Sequence, residues 1–214
     1  MELRCAAFLF DLDGVLVDSR AVVERVCREW AGRHGLDPEV VVRVAHGRRT
    51  RDTVQAVAPH LDIMREVAWL DGAELVDVAG LREVPGVRTF LESLDSGRWG
   101  VVTSCGPDLA RLRLRTVGLP IPPVVVTSDD VTRGKPAPDG YRLGAQRLGL
   151  NAASCIVFED APAGIAAGLA AGARVVALRT THPDADFSGA ALVIPDFTAV
   201  GPQRNGHDYV LTTA

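Results

Sequence analysis

Cysteine is scarce, with four residues in 214, at positions 5, 27, 105 and 155. None stands at metal-ligand spacing from another, and four form no dense framework. That excludes a disulfide-stapled scaffold and a cysteine zinc site and predicts reduced thiols. Long apolar runs are missing as well. The longest uncharged stretch of small and apolar residues, 161–173, has 13 residues, against the roughly 20 that span a bilayer. The N-terminus meets Asp11 after one short apolar run, where a signal peptide needs a longer one and a small-residue cleavage site. A soluble, cytoplasmic protein without a membrane partner is expected. Basic excess is also absent. Lys and Arg number 23 against 27 Asp and Glu, for a net charge of −4. A surface built around a nucleic-acid backbone is excluded, whereas a small phosphorylated ligand held by one or two cations is not. No internal repeat of roughly 20–50 residues points to a solenoid. Global disorder is ruled out by 47% hydrophobic and 23% charged residues.

What the chain does contain is a series of short, continuous apolar runs, at 7–10, 99–102, 124–126, 156–158, 175–178 and 192–194. Runs without alternation suit strands buried on both faces of a parallel sheet. Helical periodicity lies between the later ones, at 87–94, 107–117, 139–148 and 161–171. The alternation predicts a doubly wound α/β domain, whose ligands bind beyond the carboxyl ends of the strands. Residues 17–84 break the pattern with helical spacing alone. Val22, Val23, Val26, Cys27, Trp30 and Ala31 repeat at helical spacing. Asp37-Pro38-Glu39 reads as a capped helix start, a further helix begins at Thr50 or Asp52, and another near Asp62. The core resumes at Pro85-Gly86. The expected division is a core of 1–16 with 85–214 and a helical insert of 17–84. The tail from 201 to 214 is short of core residues and is expected to be loosely held.

Four places carry chemistry. In Phe10-Asp11-Leu12-Asp13-Gly14, two acids two apart face the same side at a strand end. At 4 Å and an effective dielectric near 20 such charges repel by about 4 kcal/mol, an arrangement that a cation or a retained proton relieves. Glu159-Asp160 repeats the pattern after another buried run, although Asp160 also reads as a helix cap. On adjacent strands, Asp11, Asp13 and Asp160 would surround one point, an oxygen-rich open site suited to Mg2+. Thr103-Ser104 follows a strand and precedes Gly106-Pro107, where hydroxyl and backbone N–H groups hold phosphate oxygens or merely cap. Lys135 stands between Gly134 and Pro136, either constrained for use or a solvated surface charge. Gly164, Gly168 and Gly172 are expected to permit close helix packing.

Taken in order, DLDGV (11–15), VVTS (101–104), GKPAPDGY (134–141) and VFEDAPAGIAAGLAAG (157–172) resemble the haloacid dehalogenase superfamily of phosphohydrolases, over roughly residues 6–180. The insert is similar to the small helical cap of the β-phosphoglucomutase subfamily. His46-Gly47-Arg48-Arg49-Thr50 and TSDDV (127–131) resemble its sugar and polyol phosphatase branch. The resemblance implies a Rossmann-like α/β core with an inserted α-helical cap and a Mg2+-dependent phosphatase of small phosphorylated sugars or polyols. It implies Asp11 as the nucleophile that forms an aspartyl-phosphate and Asp13 as general acid, then base, with its carbonyl on Mg2+. Thr103 and the Ser104 backbone would hold the phosphoryl group and Lys135 would neutralise charge. Asp160 would bind Mg2+ directly and Glu159 through water.

Three alternatives stand beside this reading. A sugar phosphomutase on this fold places a cap histidine twelve residues after the nucleophile, where this chain has Val23. A dehalogenase lacks the acid that Asp13 supplies. A non-catalytic binding protein would gain nothing from clustered buried charge. In the cap, His46, Gly47 and Arg49 are candidates for substrate contact, with a solvated helix edge as the other reading of the arginines. His182 and His207 are expected at the surface, Cys105 is given no role, and a monomer or a dimer is expected.

Overall fold

The structure, a computed structural model, describes residues 2–182 and 184–213. The chain opens with β1 (Glu2–Cys5), β2 (Ala7–Phe10) and β3 (Val17–Asp18). Four helices follow: α1 (Arg20–His34), α2 (Pro38–Ala45), α3 (Thr50–Val57) and α4 (Ile63–Val76). Then come β4 (Arg82–Glu83), α5 (Val87–Glu92), β5 (Trp99–Val102), α6 (Pro107–Thr116), β6 (Val124–Val126), α7 (Asp139–Arg147), β7 (Cys155–Glu159), α8 (Pro162–Ala171) and β8 (Arg174–Leu178). The chain closes with β9 (Leu192–Ile194), β10 (Val200–Asn205) and β11 (Asp208–Thr213).

The six continuous apolar runs form one parallel sheet in the order β6-β5-β2-β7-β8-β9. β2, β5 and β7 are buried at every position, as strands covered on both faces must be. Aromatic residues make up only 5% of the chain, yet five of its phenylalanines pack together on one face. Phe8, Phe10, Phe90, Phe158 and Phe197 lie with ring centroids 5.0 to 6.2 Å apart. Aromatic pairs at such distances add to their burial energy, which fixes the sheet under the site. β2 lies between β5 and β7, with Phe10 level with Val101 and Phe158. The residues just past these strands, Asp11, Thr103 and Asp160, therefore emerge side by side.

The segment between β3 and β4 is helical, and these two short strands, at 17–18 and 82–83, depart from the expectation of helical structure alone over 17–84. Asp37 caps α2 by accepting from the Glu39 and Val40 N–H groups, with Pro38 in the first turn. Asp62 caps α4 through the Arg65 N–H at 3.2 Å. α3 starts at Thr50, the earlier of the two expected positions. These helices share their own core, including Val26, Trp30, Val41, Val54 and Leu70. β3 and β4 pair antiparallel, so the chain leaves for the helices and returns at one place.

The tail corrects the sequence reading. β10 and β11 form a hairpin, and β11 also pairs with β1 in a three-stranded antiparallel sheet. Tyr209 and Leu211 are buried in the main core, and the Tyr209 hydroxyl accepts the Asp95 N–H at 2.9 Å. Gly206 sits at φ +66 in the turn, the first central position at which a type II′ hairpin takes glycine. The four cysteines are unbridged. Among the described residues no helix is long and apolar enough to cross a membrane.

Candidate active site

Asp11, 3% exposed, follows β2, and its N–H is held by the Phe158 carbonyl at 3.0 Å. Its Oδ1 lies 2.7 Å from Lys135 Nζ, which is also 2.6 Å from Glu159 Oε1. Lys135 is the chain's only lysine, and it is buried between two acids. Glu159, fully buried, has partners on both oxygens. Oε1 accepts the Tyr141 hydroxyl at 2.6 Å beside Lys135, and Oε2 accepts the Asp160 and Ala161 N–H groups at 3.1 and 3.4 Å. Gly164 makes this possible, because a Cβ there would stand 1.7 Å from Glu159 Oε1. Gly168 likewise packs closely, on Val175, but Gly172 departs from the expectation: it ends α8 as a left-handed cap at φ +91 with nothing within 4 Å of a would-be Cβ.

Burial pushes the Asp11 carboxyl up to about 7, with Lys135 opposing and Glu159 and Asp13 reinforcing. Burial also raises the Asp160 carboxyl well above its ordinary range, helped by Glu159 and Asp11. One oxygen from each of Asp11, Glu159 and Asp160 lies within 4.8 Å of the others, and the buried Oδ1 of Asp160 has no hydrogen-bond partner. An orphaned carboxylate oxygen inside a cluster of acids is what a divalent cation would satisfy.

The Asp13 carboxylate lines the cavity above the sheet end but is not part of that cluster. Its Oδ1 accepts the Ser19 hydroxyl at 2.7 Å and its Oδ2 the Arg113 guanidinium at 2.5 Å. Arg113 also grips Glu74 of α4. Thr103 is buried at the end of β5, and its Oγ1 accepts the Cys105 N–H at 3.2 Å. Cys105 lines the same cavity, with burial pushing its thiol up to about 12. A thiol held that far above neutrality is not a nucleophile, in keeping with the absence of a role for it.

A cavity of about 80 Å³ separates the sheet end from the helices above. Its floor carries Asp11, Asp13, Thr103, Arg113 and Asp160, and its roof carries Val23, Trp30, His46, Arg48, Thr50 and Thr53. Gly47, at φ +75, comes so close to Ala161 that a Cβ would lie 2.5 Å away, and its carbonyl accepts the Ser104 hydroxyl at 3.3 Å. Arg49 is not on this wall. It pairs with Asp52, donates to the Thr132 carbonyl at 3.1 Å and packs over Gly134, clasping the helices to the Lys135 loop. His182 departs from expectation. It is half-buried, with its ring edge-on to His46 at 5.4 Å. Burial and His182 push His46 down to about 4. His207 is exposed as expected. Arg113, Glu74, Ser19 and Tyr141 were not found by sequence reasoning. A lone arginine or glutamate on a helix gives no sign of its distant partner.

The model of the haloacid dehalogenase-like hydrolases matches residues 5–172. The chain belongs to this family. Among haloacid dehalogenase-like hydrolases it is 45% identical over 211 residues to hexitol phosphatase A of Escherichia coli, covering 95% of this chain and 98% of that one. It is 35% identical over 200 residues to glycerol-1-phosphate phosphohydrolase 2 of Saccharomyces cerevisiae, covering 87% and 79%. A hydrolase from Pseudomonas syringae of known structure superposes with a TM-score of 0.77 at 27% identity, covering 89% of this chain and 93% of that one. As a haloacid dehalogenase-like hydrolase with named phosphatases for relatives, the chain is a phosphoric monoester hydrolase, as its motifs implied.

Proposed function

We propose that this enzyme hydrolyses small phosphorylated sugars or polyols through an aspartyl-phosphate on Asp11, with Mg2+, in the cytoplasm. The observation that carries the reading is the Asp11 carboxylate, ion-paired with the only lysine and set in the floor of a roofed cavity. An anionic nucleophile approaches an anionic ester only where cations offset the repulsion. Asp11 attacks phosphorus, an oxygen–phosphorus bond forms, and the bond to the sugar alcohol breaks. Asp13 gives its proton to the departing alcohol and then takes one from the water that releases phosphate and regenerates Asp11. Two easier displacements replace one hard one. Lys135 lies against Asp11 and offsets its charge, while Thr103 and the Ser104 N–H would hold the phosphoryl oxygens.

Asp11, Asp160 and the Asp13 carbonyl would hold Mg2+, with Glu159 behind them through water. The four partners of Glu159 support that outer place. When bound, the ion supplies charge neutralisation for nucleophile and phosphate. Residues 17–84 serve as a cap that excludes water over the reacting bond. Val23 lines the cavity at the position where the mutases carry histidine, which favours transfer to water over transfer to sugar. Gly47 and His46 sit at the cap's closest approach and would face the substrate. The test is phosphate release from a panel of hexitol, hexose, pentose, glycerol, glycolate and nucleotide monophosphates with Mg2+. Sugar or polyol esters should dominate, and a preference for nucleotides or glycolate would refute the substrate class.

A further inference from the structure

Arg113 is the one arginine that is buried among the described residues, at 3% exposure. It stands on α6, in the core, and its guanidinium divides between two carboxylates. One nitrogen bonds Asp13 Oδ2 at 2.5 Å and the other bonds Glu74, on cap helix α4. Ser19, the residue before α1, occupies the remaining oxygen of Asp13 at 2.7 Å. Both oxygens of Asp13 are thereby fixed, one from the cap root and one from the core. Stability does not account for such an arrangement, since apolar residues of similar volume commonly serve a buried site as well. What a guanidinium offers is rigidity, because its two arms lie in one plane and cannot move independently. A displacement of Glu74 turns that plane and shifts Asp13.

We propose that Arg113 is a positioning residue for the leaving-group acid, joining the seating of the cap at Glu74 to the placement of the Asp13 carboxyl. The inference rests on the reading of Asp13 as the acid. It assigns a new role to a residue that does not itself exchange a proton or touch the breaking bond. When the cap is seated, Glu74 and Asp13 hold the two ends of one guanidinium and the acid is in place. When α4 lifts, Arg113 loses one anchor and Asp13 loses its fixed partner, so proton donation is tied to a covered site.

The test uses the full chain with Mg2+ and two esters that differ in their need for a proton. A hexitol monophosphate releases a poor alkoxide leaving group, whereas p-nitrophenyl phosphate releases a phenolate that departs unprotonated. The variants are Arg113→Lys, which keeps the charge but not the planar fork, and Glu74→Gln. Arg113→Met combined with Glu74→Gln serves if the single change fails to fold, because it leaves no unpaired acid at position 74. The measured quantity is kcat/KM, which reports through transfer to the enzyme. In Arg113→Lys the ratio of hexitol to p-nitrophenyl ester should fall on the order of 10²-fold, the scale of a displaced general acid. Glu74→Gln should lower the ratio in the same direction by less. A residue with only a structural role would lower both rates together and leave the parent ratio, which would overturn the proposal. A parent enzyme that cleaves the aryl ester and not the alkyl one would remove the acid role of Asp13 and the inference with it. A parent that cleaves neither would refute the site reading itself.

Discussion

In the absence of a divalent cation, the folded enzyme should lose stability as pH rises from about 4 to 7 because of Asp11. Burial pushes its carboxyl up to about 7 from an ordinary 3.8. The folded state therefore holds this proton more tightly than the unfolded chain. The contribution is fully present below the ordinary value and is lost as pH climbs through the folded one. At 1.36 kcal/mol per unit the loss is on the order of 4 kcal/mol, a large part of a total stability of roughly 5–15 kcal/mol. Asp160 is shifted in the same direction. On the proposed reading Mg2+ would displace these protons and be held by the ionised acids, so its stabilising effect should grow with pH. Urea unfolding at intervals from pH 4 to 8, in EDTA and in Mg2+, measures this. Asp11→Asn cannot ionise, and subtracting its profile removes the titrating groups remote from the site. The stability difference between parent and variant should fall with pH in EDTA and stay flat in Mg2+. Parallel profiles in EDTA would refute the reasoning.

Two further outcomes follow from packing. Gly164→Ala places a methyl 1.7 Å from Glu159 Oε1, and overpacking of this kind costs about 1–3 kcal/mol. It should also lower kcat by displacing Glu159 from Lys135, and an unchanged unfolding midpoint with full activity would contradict the crowding argument. Tyr209→Ala removes a ring packed 5.4 Å from Phe8 and should cost about 3–5 kcal/mol in urea unfolding. A cost near zero would mean that the tail hairpin is not part of the core.

The core and the floor of the site were legible because each rests on local pattern. Continuous apolar runs mark two-sided strands, and acids placed immediately after such runs must meet where the strands are neighbours. Asp11, Asp160 and Lys135 came from that logic together with the family's motif order. The tail was misread because β11 earns its burial from β1, a partner some two hundred residues away, although Asn205-Gly206 carried a hairpin signal. Arg49 and Arg113 illustrate the remaining limit. Both are arginines near helix ends in sequence, yet one clasps helix α3 to backbone carbonyls and the other lies buried between two acids. Only the meeting of helices α1–α4 with the sheet end, at the place set by β3 and β4, decides which. His182 was placed at the surface for the same reason, since its partner His46 follows helix α2.

Chemical trapping of the enzyme during turnover tests the covalent role of Asp11 most directly. Acid quenching, borohydride reduction and peptide mass mapping should find homoserine at position 11. Reduction at a different carboxylate, or rapid phosphate release from the Asp11→Asn variant, would contradict the mechanism.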